Sequence, residues 1–450
     1  MIDTAYKPIT EDVVRDLIEL LGSKNVSVDP DKISIYSRDE VPGAPWKDTC
    51  LAEVVVFPES TEQVASLVRY ANERNIPLTP RGAGTGLAGG AVPAHRGIFV
   101  SLERMNRILE LDTVNFTITV EPGVVTSEIN KCAKETGLMY AGDPCSGDAS
   151  FIGGNIAENA GGNKVIKYGP TGSHVMALEV VLPDGTVTWF GGKRRKDVTG
   201  YDFVHLMVGS EGTLGIITKA ILNLVPLPTY TVDLLVPFKS INEALNFVPS
   251  IITKARLIPT SIEFMDRPSV LMAEQFLNMK IPYSDRANAY LIIQLEGNDY
   301  DNLANEYEKV GDLCLDHGAL EVFIADNRIM SDKLWKARKR VAEAVWALYP
   351  GENLNEDIVV PTSKIPELMI DLDHICEDYG ARYVSYGHVG DGNMHITIFF
   401  QEPFDGYKKA LGSLQIKLYE VTKKLGGTLT GAHGVGLKRR DHIALFLDER

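Results

Sequence analysis

The chain has 450 residues, 44% hydrophobic and 23% charged, with a formal net charge of -15 at pH 7. Such a length exceeds one ordinary core, and the balance is that of a globular protein with two or three domains. The acidity excludes nucleic acid or an anionic membrane as the main partner, because phosphates would be repelled.

The opening stretch "MIDTAYKPITEDVVRDLIELLG" spaces its apolar residues as a helix does and lacks the basic-then-apolar pattern of a signal peptide. No uncharged apolar run reaches about 18 residues, so no transmembrane segment is expected and the reading is cytoplasmic. The five cysteines (Cys50, Cys132, Cys145, Cys314, Cys376) are odd in number, scattered and without a CxxC. That pattern fits a reducing compartment and supplies neither a disulfide framework nor an iron–sulfur site.

"AEVVVFP" reads as a strand and "STEQVASLVRYANERN" as a helix, with Ser60 and Gln63 as a capping box and Val64, Leu67, Val68 and Ala71 as its buried stripe. Strands follow at "GIFVSL", "ILELD" and "FTITVEPG", then a helix at "SEINKCAKETG". "LEVVLPDGTVTWF" is a hairpin turned by Pro183-Asp184-Gly185, and "KRRK" at 193–196 is a solvated turn. Pro226 and Pro228 mark a linker. Beyond it, four strands alternating with helices ("VDLLVPF", "SIEFMD", "AYLIIQLEG", "EVFIAD") suggest a ferredoxin-like α+β module. A charged helix around "DKLWKARKR" leads to "EDIVVP", the strand pair around "YGHVGDGNMH", a last helix and "GTLTGAHGVGLKRR". No internal repeat is visible. The expected division is 1–225, 226–410 and a C-terminal segment 411–450.

"PRGAGTGLAGG" contains a GxGxxG at Gly84, Gly86 and Gly89. A nicotinamide-binding turn needs a helix directly after it, whereas here Pro93, Gly97 and a strand follow. The glycines still suit an anion-binding nest, since exposed backbone N–H groups can approach a pyrophosphate. Two further glycine-rich runs, "GDPCSGDASFIGGNIAENAGG" and "GSEGTLGII", make a phosphate-containing cofactor the expectation.

Together, "PRGAGTGLAGG", "DPCSGDASFIGGNIAENAGG", "GPTGSHVMALEVVLPDG" and "VGSEGTLGIITKA" resemble the FAD domain of the vanillyl-alcohol oxidase flavoprotein family. From about residue 35 to 445 the chain is similar to its branch of D-lactate dehydrogenases and glycolate oxidase catalytic subunits. The resemblance implies an α+β fold: a PCMH-type FAD-binding domain of two subdomains, an inserted ferredoxin-like cap and a C-terminal helical segment returning to the FAD domain. It places Arg81, Gly82, Gly84, Thr85 and Gly86 on the pyrophosphate. Asp143, Ser146, Gly153, Gly154, Asn155 and Gly161 fall on the isoalloxazine and ribityl side, and Glu211, Gly212, Gly215 and Ile217 at the adenine end. Pro80, Ala83, Gly89, Pro144, Ala160 and Gly209 belong to the same loops. The FAD should be non-covalent, because the first loop offers no His or Cys.

Two histidines seven residues apart around a Gly-Asp-Gly turn could face one centre across a hairpin, or could simply cap the turn. The resemblance makes His388 and His395 ligands of a divalent metal such as Zn, Mn or Fe, His433 the catalytic base and Arg338 the anchor of the substrate carboxylate. Ala432 stands where relatives carry a third ligand, a glutamate. Two neutral histidines alone make a weak site, so this departure puts metal binding and turnover in question. A second departure is the ending "LFLDER", where relatives run on with a further tail. The expected function is FAD-dependent oxidation of a small D-2-hydroxy acid, D-lactate or glycolate, to the 2-oxo acid. Asn355, where relatives that use diacids carry a cation, favours a monocarboxylate. Electrons would pass to an electron-transfer flavoprotein or an iron–sulfur subunit. The alternative is a catalytically weakened FAD-binding scaffold of a multi-subunit oxidase.

Overall fold

The structure, a computed structural model, describes residues 6–44, 46, 49–349, 353–402 and 404–447. They form two compact units. The first holds the described residues up to Gly161, then Gly169–Leu227 and Ala432–Asp441. The second holds Gly162–Tyr168, Pro228–Gly431 and the residues from His442 on.

The first unit is built on two sheets. In one, β1 (Val26–Ser27), β2 (Val54–Val56), β3 (Leu78–Arg81) and β4 (Ile98–Ser101) lie in the order β1-β2-β4-β3, with β2, β4 and β3 parallel. Parallel strands need a crossover connection, and the helix Thr61–Arg74 supplies the one from β2 to β3, which flank β4. Ser60 caps it by accepting the Gln63 N–H, and Gln63 Oε1 accepts the Glu59 N–H rather than that of Ser60. Its Val64, Leu67, Val68 and Ala71 bury against Val54, Val56, Ile98 and Val100.

The other sheet is antiparallel. It comprises β5 (Ile108–Asp112), β6 (Thr117–Val120), β8 (Val175–Val181), β9 (Val187–Gly191) and β10 (Ile216–Asn223), ordered β5-β6-β10-β8-β9. A separate pair joins β7 (Leu138–Met139) to β11 (Val225–Pro226). Ile118, Val120, Leu178, Val180 and Leu222 pack against Ile129, Ile152 and Ile156 of two short helices. The helix Ile152–Glu158 thereby leads from a glycine pair to Glu158.

The second unit carries one seven-stranded antiparallel sheet, ordered β15-β12-β14-β13-β17-β18-β16. Its strands are β12 (Tyr230–Phe238), β13 (Ser261–Asp266), β14 (Ala289–Gly297), β15 (Phe323–Ala325), β16 (Leu354–Val359), β17 (Arg382–His388) and β18 (Asn393–Phe399). Counted from β12, the first four stand as fourth, first, third and second, which is the ferredoxin-like arrangement. The sheet then continues through β17, β18 and β16, which repeat the order second, third, first. Two halves of one topology thus meet through their second strands, β13 and β17.

That seam is pinned by Asp266. Its Oδ2 accepts the Ser385 N–H at 2.6 Å and the Ser385 hydroxyl at 2.9 Å, and its Oδ1 caps the next helix at Ser269. Helices Arg267–Leu277, Arg328–Lys339 and Val341–Leu348 cover one sheet face through Val270, Ala273, Ala337, Val341 and Val345. Helices Ile241–Thr253, Tyr300–Asp316, Ile365–Tyr379 and Tyr407–Lys424 cover the other.

The C-terminal segment does not return as one piece, in contrast to the expected division at 411. Helix Tyr407–Lys424 belongs to the second unit, because Leu411, Leu414, Leu418 and Tyr419 are buried there and the Tyr419 hydroxyl bonds Glu356 of β16. Only Ala432–Asp441 joins the first unit.

Candidate active site

A strand sends alternate side chains to one face, and the register brings a polar set together on the face beneath helix Arg328–Lys339. Tyr386 stands opposite His395, which stands opposite Asp357, and His388 stands opposite Asn393. From β13, Glu263 joins them. It is fully buried, as is Asp357.

Glu263 holds two partners at once. Its Oε1 lies 2.7 Å from His388 Nδ1 and also accepts from Ser261, while its Oε2 lies 2.7 Å from Arg338 Nη2. The Arg338 contact is a close ion pair whose angles fall short of a hydrogen bond. Its Nε is buried with no hydrogen-bond acceptor among the described residues. Arg338 is itself 3% exposed, and its guanidinium lies 4.9 Å above the Tyr386 ring. Burial alone would push the Glu263 carboxyl up; His388 and Arg338 outweigh it and hold it below the usual carboxylate range.

The two histidines stand edge to face, with their Nε2 atoms 3.4 Å apart. Asp357 Oδ1 lies 3.2 Å from His395 Nδ1, and Asn393, Thr430 and the Gly431 N–H fix that carboxylate. For His388 burial works to lower the pKa and Glu263 wins, raising it; for His395 burial wins and lowers it.

This donor set fits a divalent metal. Two ligands on tetrahedral arms of about 2.1 Å are separated by roughly 3.4 Å. A ligating imidazole also commonly gives its other nitrogen to a carboxylate, which fixes the tautomer and raises its basicity. Glu263 and Asp357 stand behind the two rings, at the Nδ1 atoms of His388 and His395. Ala432 and His433 lie in the 432–441 stretch of the first unit.

Sequence reading missed both acids. The signal was present, because "SIEFMD" and "EDIVVP" place ionisable residues inside buried strands, where a charge requires a partner.

In the first unit, the N–H groups of Ala83, Gly84, Thr85 and Gly86 meet no acceptor among the described residues. A Cβ on Gly82 would come within 3.4 Å of the Gly154 backbone, so the first and second glycine loops meet main chain to main chain. Such a run of bare backbone donors beside a second glycine loop fits a pyrophosphate. Asp143, Pro144, Ser146, Gly153, Ala160, Gly161 and Gly209 lie in this unit as well.

Several expected cofactor residues also make contacts within the fold. The Arg81 guanidinium is taken by the carbonyls of Tyr36, Arg38 and Ala83. Asn155 donates to Thr126 at 2.5 Å, and Ile217 is 6% exposed within the sheet core. Both carboxylate oxygens of Glu211 accept backbone N–H groups from Val435 and Gly436. With no His or Cys between Arg81 and Gly90, trichloroacetic acid should release all of the flavin into the supernatant. Yellow colour retained in the pellet would contradict this.

A profile of the FAD binding domain matches residues 52–191, and one of the C-terminal domain of FAD linked oxidases matches residues 227–450. The chain is 36% identical over 439 residues to the glycolate oxidase subunit GlcD of Bacillus subtilis (strain 168), covering 98% of this chain and 92% of that one. It is 34% identical over 450 residues to a D-lactate dehydrogenase of Anaerostipes hadrus, covering 99% and 93%. Among solved structures, p-cresol methylhydroxylase with substrate bound gives a TM-score of 0.78 at 18% identity, covering 98% of this chain and 93% of that one. That last likeness speaks for the fold alone.

Proposed function

This chain belongs to the FAD-linked oxidase family, and from that membership we propose that it oxidises D-lactate or glycolate to the corresponding 2-oxo acid. The observation that carries the reading is Arg338, a buried guanidinium with an unused Nε beside a pair of supported imidazoles. The oxidation removes a proton from the hydroxyl and a hydride from Cα. A substrate needs a cation for its carboxylate and a base for the hydroxyl proton.

Arg338 supplies the cation, and its planar fork suits a carboxylate. His388 and His395 would hold a divalent ion that polarises the hydroxyl. His433 takes the proton, the role the resemblance gives it. Bound FAD supplies the hydride acceptor. Asn355 is engaged by Thr397 and Asn353 and presents no cation for a second carboxylate, which favours a monocarboxylic acid. Electrons then leave through a separate carrier, an electron-transfer flavoprotein or an iron–sulfur subunit. Among the described residues no helix is long and apolar enough to cross a membrane.

Steady-state assays with an artificial electron acceptor should show turnover of D-lactate and glycolate, little of D-2-hydroxyglutarate and none of L-lactate. Metal analysis of the same preparation should find one divalent ion per chain, lost in His388→Ala. A clear preference for the diacid would overturn the substrate assignment, and a metal-free, fully active enzyme would overturn the role given to the histidine pair.

A further inference from the structure

We propose that the side chains of Glu158 and Glu211 clamp residues 434–436 from two sides and so position His433, both acting as positioning residues. The inference rests on the reading of His433 as the base, while the clamp itself lies wholly within the first unit.

Glu211 is the first jaw. Its Oε1 accepts the Val435 N–H and its Oε2 the Gly436 N–H, each at 2.7 Å. Val435 is right-handed helical (φ -89°, ψ -57°) and Gly436 left-handed (φ +49°), so consecutive N–H groups converge as a nest that holds an anion. Glu211 is itself held at φ +52°, a conformation uncommon for residues other than glycine. Backbone strain at a residue whose carboxylate grips two amides marks a position set by its side chain.

Glu158 is the second jaw. Its carboxyl ends the helix Ile152–Glu158 and lies between two glycines. A Cβ on Gly434 would come within 2.0 Å of Oε2, and one on Gly90 within 2.8 Å of Oε1. Gly434 also has φ +81°, so no other residue fits there without displacing the acid. Oε2 is buried and has no hydrogen-bond partner among the described residues.

The charged groups that face Glu158 are Glu211, Asp39 and Arg439. Burial first, then the two acids, raise its pKa to about 8 against the opposing Arg439. At neutral pH it is an uncharged acid that fills the space beside Gly434 without repelling Glu211. The raised pKa favours the folded, protonated form, so stability is full below the ordinary value and lost as pH rises through about 8. Above that, two carboxylates face each other across the loop.

Amide hydrogen exchange of the FAD-loaded protein, corrected for intrinsic rates, tests this without turnover. Protection of Val435 and Gly436 should be strong at pH 7 and fall at least tenfold at pH 9. In Glu158→Gln, a neutral isostere, protection should persist at pH 9. In Glu211→Gln at least one of the two amides should lose its protection at both pH values, because an amide offers only one acceptor oxygen. The alkaline fall in kcat should likewise disappear in Glu158→Gln, with KM unmoved. Unchanged protection in Glu211→Gln, or an unchanged pH dependence in Glu158→Gln, would overturn the clamp. Lost protection with an unchanged kcat would overturn its hold on His433. If no variant turns over any acid, the exchange measurement still decides the clamp.

Discussion

Glu263→Gln should be among the most damaging single substitutions in the protein, lowering both the thermal midpoint and kcat/KM. Glutamine keeps the volume, so no cavity forms. What goes is the one anion that serves both Arg338 and His388. Breaking a buried ion pair from one side destabilises by roughly 3–5 kcal/mol, because an uncompensated charge stays behind. For a unit of this size each kcal/mol is worth about 2–4 °C, so the midpoint should fall by roughly 6–20 °C. Glutamine must also turn its NH2 toward either the guanidinium or the imidazole, both of which donate. The loss in kcat/KM should exceed about 100-fold, since the carboxylate anchor and one histidine lose their support together. A double variant, Glu263→Leu with Arg338→Met, should recover much of the midpoint and none of the activity. Equal stability of Glu263→Gln and the parent in thermal melts would show that Glu263 is not charged in the folded protein.

Arg338→Lys should leave the FAD content unchanged, because the glycine loops belong to the first unit and Arg338 to the second. It should reduce kcat/KM by about 10–100-fold, the range expected when a charge-assisted hydrogen bond of about 1.5–3 kcal/mol is lost. The guanidinium gives Nη2 to Glu263 and still has Nε for a ligand. An ammonium has a single charged atom on a flexible stem, and Glu263 would hold it. The effect should appear mainly in the apparent affinity for the acid. An unchanged KM for every acid tested would make Arg338 a structural partner of Glu263 and nothing more.

How far the sequence carried is clearest strand by strand. Short-range signals read well: the cap at Ser60, the hairpin at Pro183-Asp184-Gly185 and the glycine loop not followed by a helix all depend on residues close together in the chain. The four strands from β12 to β15 were visible for the same reason. Their continuation was not, because β13 pairs with β17 across more than a hundred intervening residues. The repeated topology left no repeated sequence, since each half fills its positions with different residues.

At the site, the named histidines and Arg338 were legible through the motifs, but their supports were not. Glu263 and Asp357 each look like one polar position in a strand, and only the sheet register shows what they face. At Arg81 and Ile217 the motifs gave no hint of the contacts these residues make within the fold. A motif identifies residues near a cofactor loop without separating those that touch a ligand from those that brace the loop.

The most direct test is anaerobic mixing of the FAD-loaded protein with D-lactate in a stopped-flow instrument, following the oxidised-flavin band near about 450 nm. The band should bleach, with a rate that saturates as the acid concentration rises, and one pyruvate should form per flavin. L-Lactate should leave the band unchanged. A band that persists with D-lactate, glycolate and every other small 2-hydroxy acid would contradict the assignment of this chain as a D-2-hydroxy acid dehydrogenase.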